Sequence, residues 1–187
     1  MSRLSVFIVL LLIACKGDPP PKSTETPKTV KAEDLDQEAV NQLFNYYYSD
    51  PSSVGEVDQN AIIDYAVEKA LPVRRSPTGL YYWISKEGEG QAIQLGDKIA
   101  VDYKGYFFDG NIFDSSYDRG KPIEFKVGSM INGWNEVLTY VNEGSSLTVL
   151  IPSRLAYGEE GFENIITPNT PIAFDIEVLH KIDVESN

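Results

Sequence analysis

Cysteine, histidine and positive charge are scarce in this chain of 187 residues, and each shortage excludes a class of function. Cys15 is the only cysteine, so neither an internal disulfide nor a multi-cysteine metal site can form. His180 is the only histidine, which excludes a histidine-rich metal site and the usual arrangement of a catalytic triad. We therefore expect neither a metal ion nor any other cofactor.

The charge balance argues against binding to nucleic acid. The chain has 16 Lys and Arg against 28 Asp and Glu, a net charge of −12, and no basic run. Phosphate contacts need clustered cations. The 42% of hydrophobic and 11% of aromatic residues are nevertheless sufficient for a packed core, so the length indicates one domain with extensions.

The amino terminus has the pattern of an export signal. Residues 1–15 read MSRLSVFIVLLLIAC, in which Arg3 precedes an apolar run that is too short for a membrane span, since a span needs about 20 residues. The run ends in Leu12-Ile13-Ala14-Cys15, which resembles the lipobox of bacterial lipoproteins. The resemblance implies a signal peptide of residues 1–14, cleavage before Cys15, and acylation of Cys15 as a membrane anchor. A signal peptide with an incidental cysteine is the alternative.

Two segments follow the anchor. Residues 15–32 combine four prolines with Lys, Ser and Thr, and they lack apolar periodicity, which predicts a flexible tether. Residues 33–72 hold nine Asp and Glu against Lys69, a net charge of −8. Apolar residues recur there at helical spacing in two groups: Val40, Leu43, Phe44 and Tyr47, then Ile62, Tyr65, Ala66, Lys69 and Ala70.

This acidic segment is predicted to form two short helices. Residues 50–55 should separate them, Asp58 or Asn60 should cap the second helix, and Pro72 should end it. The helices could pack on the following domain or on each other. Alternatively, they could form an arm for dimerisation or for holding client chains, using the tyrosines at 46–48.

The remainder, residues 73–187, has the pattern of an α+β domain. We expect strands at 80–84, 99–108, 122–127, 147–151 and 172–179, the second followed by the hairpin signal Asp109-Gly110. One helix is expected from apolar positions Trp134, Val137, Leu138 and Val141, closed by Gly144. This order of elements favours an antiparallel sheet wrapped over a helix.

Six short motifs in this domain occur in a familiar order. They are Val101-Asp102-Tyr103-Lys104-Gly105, Gly110-Asn111-Ile112-Phe113-Asp114-Ser115-Ser116, Asp118-Arg119-Gly120-Lys121-Pro122, Ile131-Asn132-Gly133-Trp134, Ala156-Tyr157-Gly158, and Phe174-Asp175-Ile176-Glu177-Val178-Leu179. Together they resemble the FK506-binding-protein (FKBP) type of peptidyl-prolyl cis-trans isomerase. The layout of lipobox, tether and acidic helical segment further resembles the gliding-motility-associated isomerase lipoproteins.

The resemblance implies a fold and a set of site residues. It implies a half-wrapped antiparallel sheet over one short helix, with an apolar pocket between them. The implied catalytic residues are Tyr103, Phe113, Asp114, Ile131, Trp134, Tyr157 and Phe174. The implied substrate-binding residues are Arg119, Phe125, Met130, Phe162, Ile165 and Ile166. Trp134 would form the pocket floor, and Tyr157 and the Ile131 amide would hold carbonyl oxygens.

The resemblance also implies partners and a location. The substrates would be proline-containing polypeptides, with FK506-like macrolides as inhibitors and the membrane as a partner through the lipid anchor. The enzyme would assist folding of exported proteins in the cell envelope, at the periplasmic face of the outer membrane. Two alternatives stay open: a non-catalytic or chaperone-like module that binds proline segments, and a structural component of an envelope assembly.

Overall fold

The computed structural model describes residues 37–182. The expectations for the signal peptide, Cys15 and the tether lie outside these residues, as does the beginning of the acidic segment. Within residues 37–182, no helix is both long enough and apolar enough to cross a membrane.

An antiparallel sheet of seven strands forms the centre of the structure that residues 37–182 adopt. The strands are β1 (Arg74–Arg75), β2 (Tyr81–Lys86), β3 (Lys98–Tyr106), β4 (Ile112–Ser115), β5 (Ile123–Lys126), β6 (Ser146–Ile151) and β7 (Ile172–Lys181). Their spatial order is β1-β2-β6-β7-β3-β4, and β5 pairs with the first half of β3, beside β4. This α+β architecture confirms the fold class expected from the sequence.

Alternation along the strands divides the apolar side chains between two cores. On β6, Leu147, Val149 and Ile151 face one side of the sheet, whereas Leu150 faces the other. The first side is covered by α3 (Asn132–Val137), which continues as a single 3-10 turn over Leu138–Tyr140. The main core therefore lies between α3 and the sheet.

The second core lies under the acidic segment, and we call the described part of that segment, residues 37–72, the arm. The arm contains α1 (Gln37–Phe44) and α2 (Val54–Glu68). Ile62, Ile63 and Ala66 of α2 are fully buried, and they pack in one cluster with Tyr81 and Leu150 of the sheet. The interpretation that these helices pack on the following domain is thus confirmed for the described residues.

The two ends of α2 differ from the sequence expectation. Ser53, not Asp58 or Asn60, is the N-cap, because its hydroxyl accepts from the Glu56 amide while Glu56 accepts from the Ser53 amide at 3.0 Å. The helix begins at Val54, inside the segment expected to separate the helices, and ends at Glu68, before Pro72. Asp58 and Asn60 are buried in the first half of α2 and form other contacts.

Three further expectations in the domain were wrong in detail. β1 and β4 were not expected as strands, since both are too short for a clear alternation pattern. The helix is shorter than expected, because Gly144 lies in the turn before β6 rather than at the helix end. Val141 was expected on the buried face of the helix, and its side chain is buried in the main core although it lies beyond the helix end.

Candidate active site

A fully buried tryptophan lies where α3 meets the sheet. Trp134 is in the first turn of α3, and its ring centroid lies 5.1 Å from those of Tyr103 on β3 and Phe174 on β7, with nearly perpendicular ring planes. Phe125 of β5 lies 5.6 Å away. The indole N–H has no acceptor among residues 37–182, so ring contacts rather than hydrogen bonds hold the indole in place.

The helix can approach the sheet closely because residue 133 is a glycine. A Cβ at Gly133 would lie 2.6 Å from Cγ2 of Ile151 on β6, which is closer than side chains tolerate. Asn135 then connects the helix to the preceding loop, since its Oδ1 accepts from the amides of Gly128 at 2.9 Å and Met130 at 3.1 Å. Its Nδ2 donates to the Met130 carbonyl at 2.6 Å. These bonds fix Met130 and Ile131 beside Trp134.

Phe113 extends the aromatic cluster toward solvent. Its ring is perpendicular to that of Phe174 at 5.6 Å, and it also contacts Phe107 at 5.0 Å. Gly105 makes this packing possible, because a Cβ there would lie 2.6 Å from Phe174 Cε1 and 2.7 Å from Phe113 Cε2. The cluster therefore has a buried floor of Tyr103, Trp134 and Phe174 and a half-buried rim that includes Phe113 and Phe125.

One edge of the cluster is polar. The Tyr103 hydroxyl donates to the Asp114 carboxylate, which also forms an ion pair with Arg119. Arg119 Nη2 donates to the Tyr103 hydroxyl oxygen at 2.8 Å, and its guanidinium lies 5.3 Å from the centre of the Tyr103 ring. Burial, and then the hydrogen bond to Asp114, raise the pKa of Tyr103 to about 12. The phenol therefore stays protonated at neutral pH and holds the carboxylate in one orientation.

Ser116 determines where this polar edge lies. Its hydroxyl accepts from the Tyr103 amide at 2.9 Å and donates to the Asp102 carboxylate at 2.7 Å. Its own amide donates to the Tyr103 carbonyl at 3.0 Å. Because Ser116 is fully buried, the end of β4 is fixed against β3, and Asp114 is held beside Tyr103.

Two polar hydrogens at the rim have no acceptor within the described part of the chain. One is the amide of Ile131, the residue before α3, and the other is the Tyr157 hydroxyl. Both residues are half-buried and pack against the main core. Burial, followed by the nearby charge of Asp114, raises the pKa of Tyr157, so this hydroxyl is also protonated at neutral pH. The rim thus offers two donors to an incoming carbonyl oxygen.

The structure brings most of the expected site residues together. Tyr103, Phe113, Asp114, Arg119, Phe125, Met130, Ile131, Trp134, Tyr157 and Phe174 all lie in or around the aromatic cluster. Ile166 is buried in the same core, and its backbone pairs with Phe162. Phe162 is 42% exposed with its ring 4.9 Å from that of Tyr157, whereas Ile165 is 47% exposed and is not part of the cluster.

Four contributors were missed from the sequence. Phe107 and Gly105 shape the Phe113 side of the cluster, and Ser116 and Asn135 fix its backbone. Gly105 and Ser116 belong to motifs that were noted, but no sequence signal gave their roles. Among residues 37–182 the cluster contains neither cysteine nor histidine. The fold and site together define a protein in which a cluster of aromatic rings, here called the aromatic cup, lies beside two hydrogen-bond donors that can bind carbonyl oxygens.

Comparison with known proteins agrees with this class. The family model described as FKBP-type peptidyl-prolyl cis-trans isomerase matches residues 89–179. The chain is 41% identical over 115 residues to the FKBP-type peptidyl-prolyl cis-trans isomerase FkpA of Escherichia coli K12, covering 62% of this chain and 42% of FkpA. It is 38% identical over 107 residues to the peptidyl-prolyl cis-trans isomerase Mip of Coxiella burnetii, covering 57% of this chain and 46% of Mip.

Solved structures give the same result. The crystal structure of E. coli FkpA superposes with a TM-score of 0.62 at 36% identity, over 68% of this chain and 60% of that one. A peptidyl-prolyl cis-trans isomerase from Pseudomonas syringae pv. tomato superposes with a TM-score of 0.60 at 30% identity, over 73% of this chain and all of that one.

The chain belongs to the FKBP-type peptidyl-prolyl cis-trans isomerase family. It spans less than half the length of the curated relatives FkpA and Mip that it matches.

Proposed function

We propose that this protein catalyses the cis-trans rotation of X-Pro peptide bonds in polypeptides. The observation that carries the proposal is the aromatic cup with Trp134 at its floor and the donors of Ile131 and Tyr157 at its rim, neither of which has an acceptor among residues 37–182. The pyrrolidine ring of a proline would lie on Trp134, and the two donors would hold carbonyl oxygens of the bound chain. Proline-containing segments are therefore the proposed substrates, and FK506-like macrolides are the proposed inhibitors.

The chemistry suits an apolar cup. A planar amide is stabilised by resonance, and rotation about its C–N bond has a barrier of about 18–20 kcal/mol. The twisted amide has lost this resonance and is less dipolar than the planar form. An apolar environment therefore destabilises the twisted amide less than the planar one, which lowers the barrier. Without catalysis, X-Pro isomerisation takes tens to hundreds of seconds and limits folding.

The polar edge would act on the rotating bond through Asp114. Tyr103 and Arg119 hold its carboxylate in place, so the carboxylate does not have to reorient when the bond rotates. Because the Tyr103 hydroxyl remains protonated, the same orientation persists across the physiological pH range. No bond is made or broken in this rotation, so neither a nucleophile nor a general base is needed.

A refolding assay limited by X-Pro isomerisation tests the proposal on the full chain. We expect acceleration by the wild-type protein, and a loss of about tenfold or more in kcat/KM for the Asp114→Ala, Tyr157→Phe double variant, since each substitution removes a hydrogen-bonding group. The control is the Tyr117→Phe, Asp118→Ala double variant, which makes the same changes at exposed positions outside the cluster.

Two results would contradict parts of this proposal. If the wild-type chain binds proline peptides but does not accelerate refolding, the protein is a non-catalytic proline-segment module. If the Asp114, Tyr157 double variant retains full activity, the enzyme assignment stands and the roles of these two residues are wrong.

We also propose that the protein is a lipoprotein of the cell envelope that assists the folding of exported proteins, in a system associated with gliding motility. This proposal rests on the apolar run ending in Leu12-Ile13-Ala14-Cys15 and on the layout of the segments that follow. Growth of the source cells with labelled palmitate should label the wild-type protein and leave a Cys15→Ser variant unlabelled. Equal labelling of both proteins would remove the support for acylation at this residue.

A further inference from the structure

A carboxylate of the arm is buried beneath the loop that carries Tyr157. Asp58 of α2 is 1% exposed, and its Oδ2 accepts two hydrogen bonds from one residue 95 positions away, Ser153. The Ser153 amide donates at 2.7 Å and the Ser153 hydroxyl donates at 2.6 Å. Burying a carboxylate is costly unless hydrogen bonds compensate it. This link between the arm and the domain is therefore specific rather than incidental.

Ser153 in turn fixes the backbone on both sides of Tyr157. It begins the short 3-10 turn Ser153–Leu155 after β6, and it is 2% exposed. Its carbonyl accepts from the Ala156 amide at 2.9 Å and from the Gly158 amide at 2.8 Å. The neighbours of Tyr157 on either side are thus bonded to one carbonyl, on the residue that Asp58 holds.

The position of Asp58 is itself fixed by the packing of α2. Ile62 and Ile63 follow Asp58 by four and five residues, slightly more than one turn of the helix. Both are fully buried in the core shared with Leu150, which lies three residues before Ser153. Asn60 also anchors the chain between the helices, because it donates to the Tyr48 carbonyl at 2.8 Å and accepts from the Tyr48 amide at 2.9 Å. These contacts hold the backbone of α2, and with it Asp58, against the sheet beside Ser153.

We propose that Asp58 is a positioning residue for Tyr157 and that the arm, through Asp58 and Ser153, is part of the support of the active site. The inference rests on the proposed isomerase function, because Tyr157 is the residue that would hold a substrate carbonyl. A positioning role for Asp58 predicts an effect that a purely structural role does not. A loss of Asp58 should displace the Tyr157 loop and impair turnover even while the rest of the domain remains folded.

The test compares Asp58→Ala with Asp58→Asn in the full chain. We expect Asp58→Ala to lower kcat/KM by about ten- to hundredfold, the range for a small misplacement of a positioning group. Asp58→Asn should recover most of this loss, because its amide oxygen can accept from the Ser153 amide. Ser153→Ala removes only the hydrogen bond from the hydroxyl and should give an intermediate loss of kcat/KM. If Asp58→Ala does not fold, this variant still tests the inference.

Two controls separate positioning from general destabilisation. Asp64→Ala removes an exposed carboxylate from the same helix and should leave kcat/KM unchanged. Ile62→Ala weakens the packing of the arm without removing a hydrogen bond to Ser153. At equal folded fraction, it should retain more activity than Asp58→Ala.

A readout that does not depend on turnover distinguishes this inference from the proposed function. In NMR spectra, Asp58→Ala should shift the amide resonances of residues 153–158 and leave those of β3 near their wild-type positions. If the wild-type protein shows no isomerase activity, the proposed function fails while these shifts still test the positioning. Unchanged resonances at 153–158, or an Ile62→Ala variant as impaired in kcat/KM as Asp58→Ala, would overturn the inference.

Discussion

Adding a single methyl group at Gly105 should disturb the aromatic cup more than most surface substitutions could. The Gly105→Ala methyl would lie 2.6 Å from Phe174 Cε1 and 2.7 and 2.8 Å from two carbon atoms of Phe113. Non-bonded carbon atoms prefer separations of about 3.5–4.0 Å. At least one ring must therefore move by roughly 1 Å, in a region where Phe174 is 4% exposed and packed against Trp134.

The expected cost follows from the behaviour of overpacked cores. Inserting a methyl group into a well-packed interior typically destabilises a protein by about 1–3 kcal/mol. We expect Gly105→Ala to lower the free energy of unfolding by this amount, measured by urea denaturation. We also expect it to lower kcat/KM in the refolding assay, because Phe113 and Phe174 belong to the cup itself.

A matched control is the same substitution at Gly55 in the first turn of α2. A Cβ there would have no heavy atom within 4 Å, and alanine favours helix formation over glycine by up to about 1 kcal/mol. Gly55→Ala should therefore leave activity unchanged and stability equal or higher. In a Phe113→Leu background, which lacks the ring edge near Gly105, Gly105→Ala should cost at least about 0.5 kcal/mol less. A Gly105→Ala variant with wild-type stability and wild-type activity would refute this account of the packing.

Three further predictions concern the groups that hold the site and the arm in place. Because burial raises the pKa of Tyr103 to about 12, the contribution of its protonated hydroxyl to stability is fully present below pH 10 and is lost as the pH rises to 12. Tyr103→Phe should reduce this loss of unfolding free energy by about 2–3 kcal/mol, measured by urea titrations at successive pH values. The same pH dependence in the variant and the wild type would contradict the shift in pKa. Ser53→Ala removes the N-cap of α2 and should lower the free energy of unfolding by about 1 kcal/mol, measured by urea denaturation, without changing kcat/KM. A loss of activity would contradict this and would show that the cap affects the active site. Asn135→Ala removes three hydrogen bonds to the loop before Ile131 and should raise KM for proline peptides. An unchanged KM would show that the position of this loop does not affect substrate binding.

The long strands and the buried face of the helix could be predicted from the sequence, because they bury one clear periodic face. The alternation of Ile172, Phe174, Ile176 and Val178 identified β7, and all four side chains are buried in the main core. β1 and β4, with two and four residues, are too short to show a period, and their pairing partners stabilise them instead.

The contacts of individual polar residues could not be predicted. Asp58 looked like a helix cap because short acidic residues favour that position, yet tertiary packing buries it against Ser153. Only the three-dimensional arrangement brings residues so distant in sequence together. Several site residues carried over from the family resemblance were easier to place, since Tyr103, Phe113 and Phe174 lie on strands with fixed register. Phe162 and Ile165 were harder, because they lie on an exposed loop.

The strand order has a consequence for how the chain acquires its structure. β7 lies in the centre of the sheet between β3 and β6, yet it is the last strand along residues 37–182. Apart from the pairs that β7 makes, the strands divide into two groups, with β1, β2 and β6 in one and β3, β4 and β5 in the other, and no backbone pairing joins the groups. Such non-local pairing makes folding slow compared with proteins built from local contacts. During synthesis, neither α3 nor the arm therefore has this sheet complete to pack on until β7 has emerged.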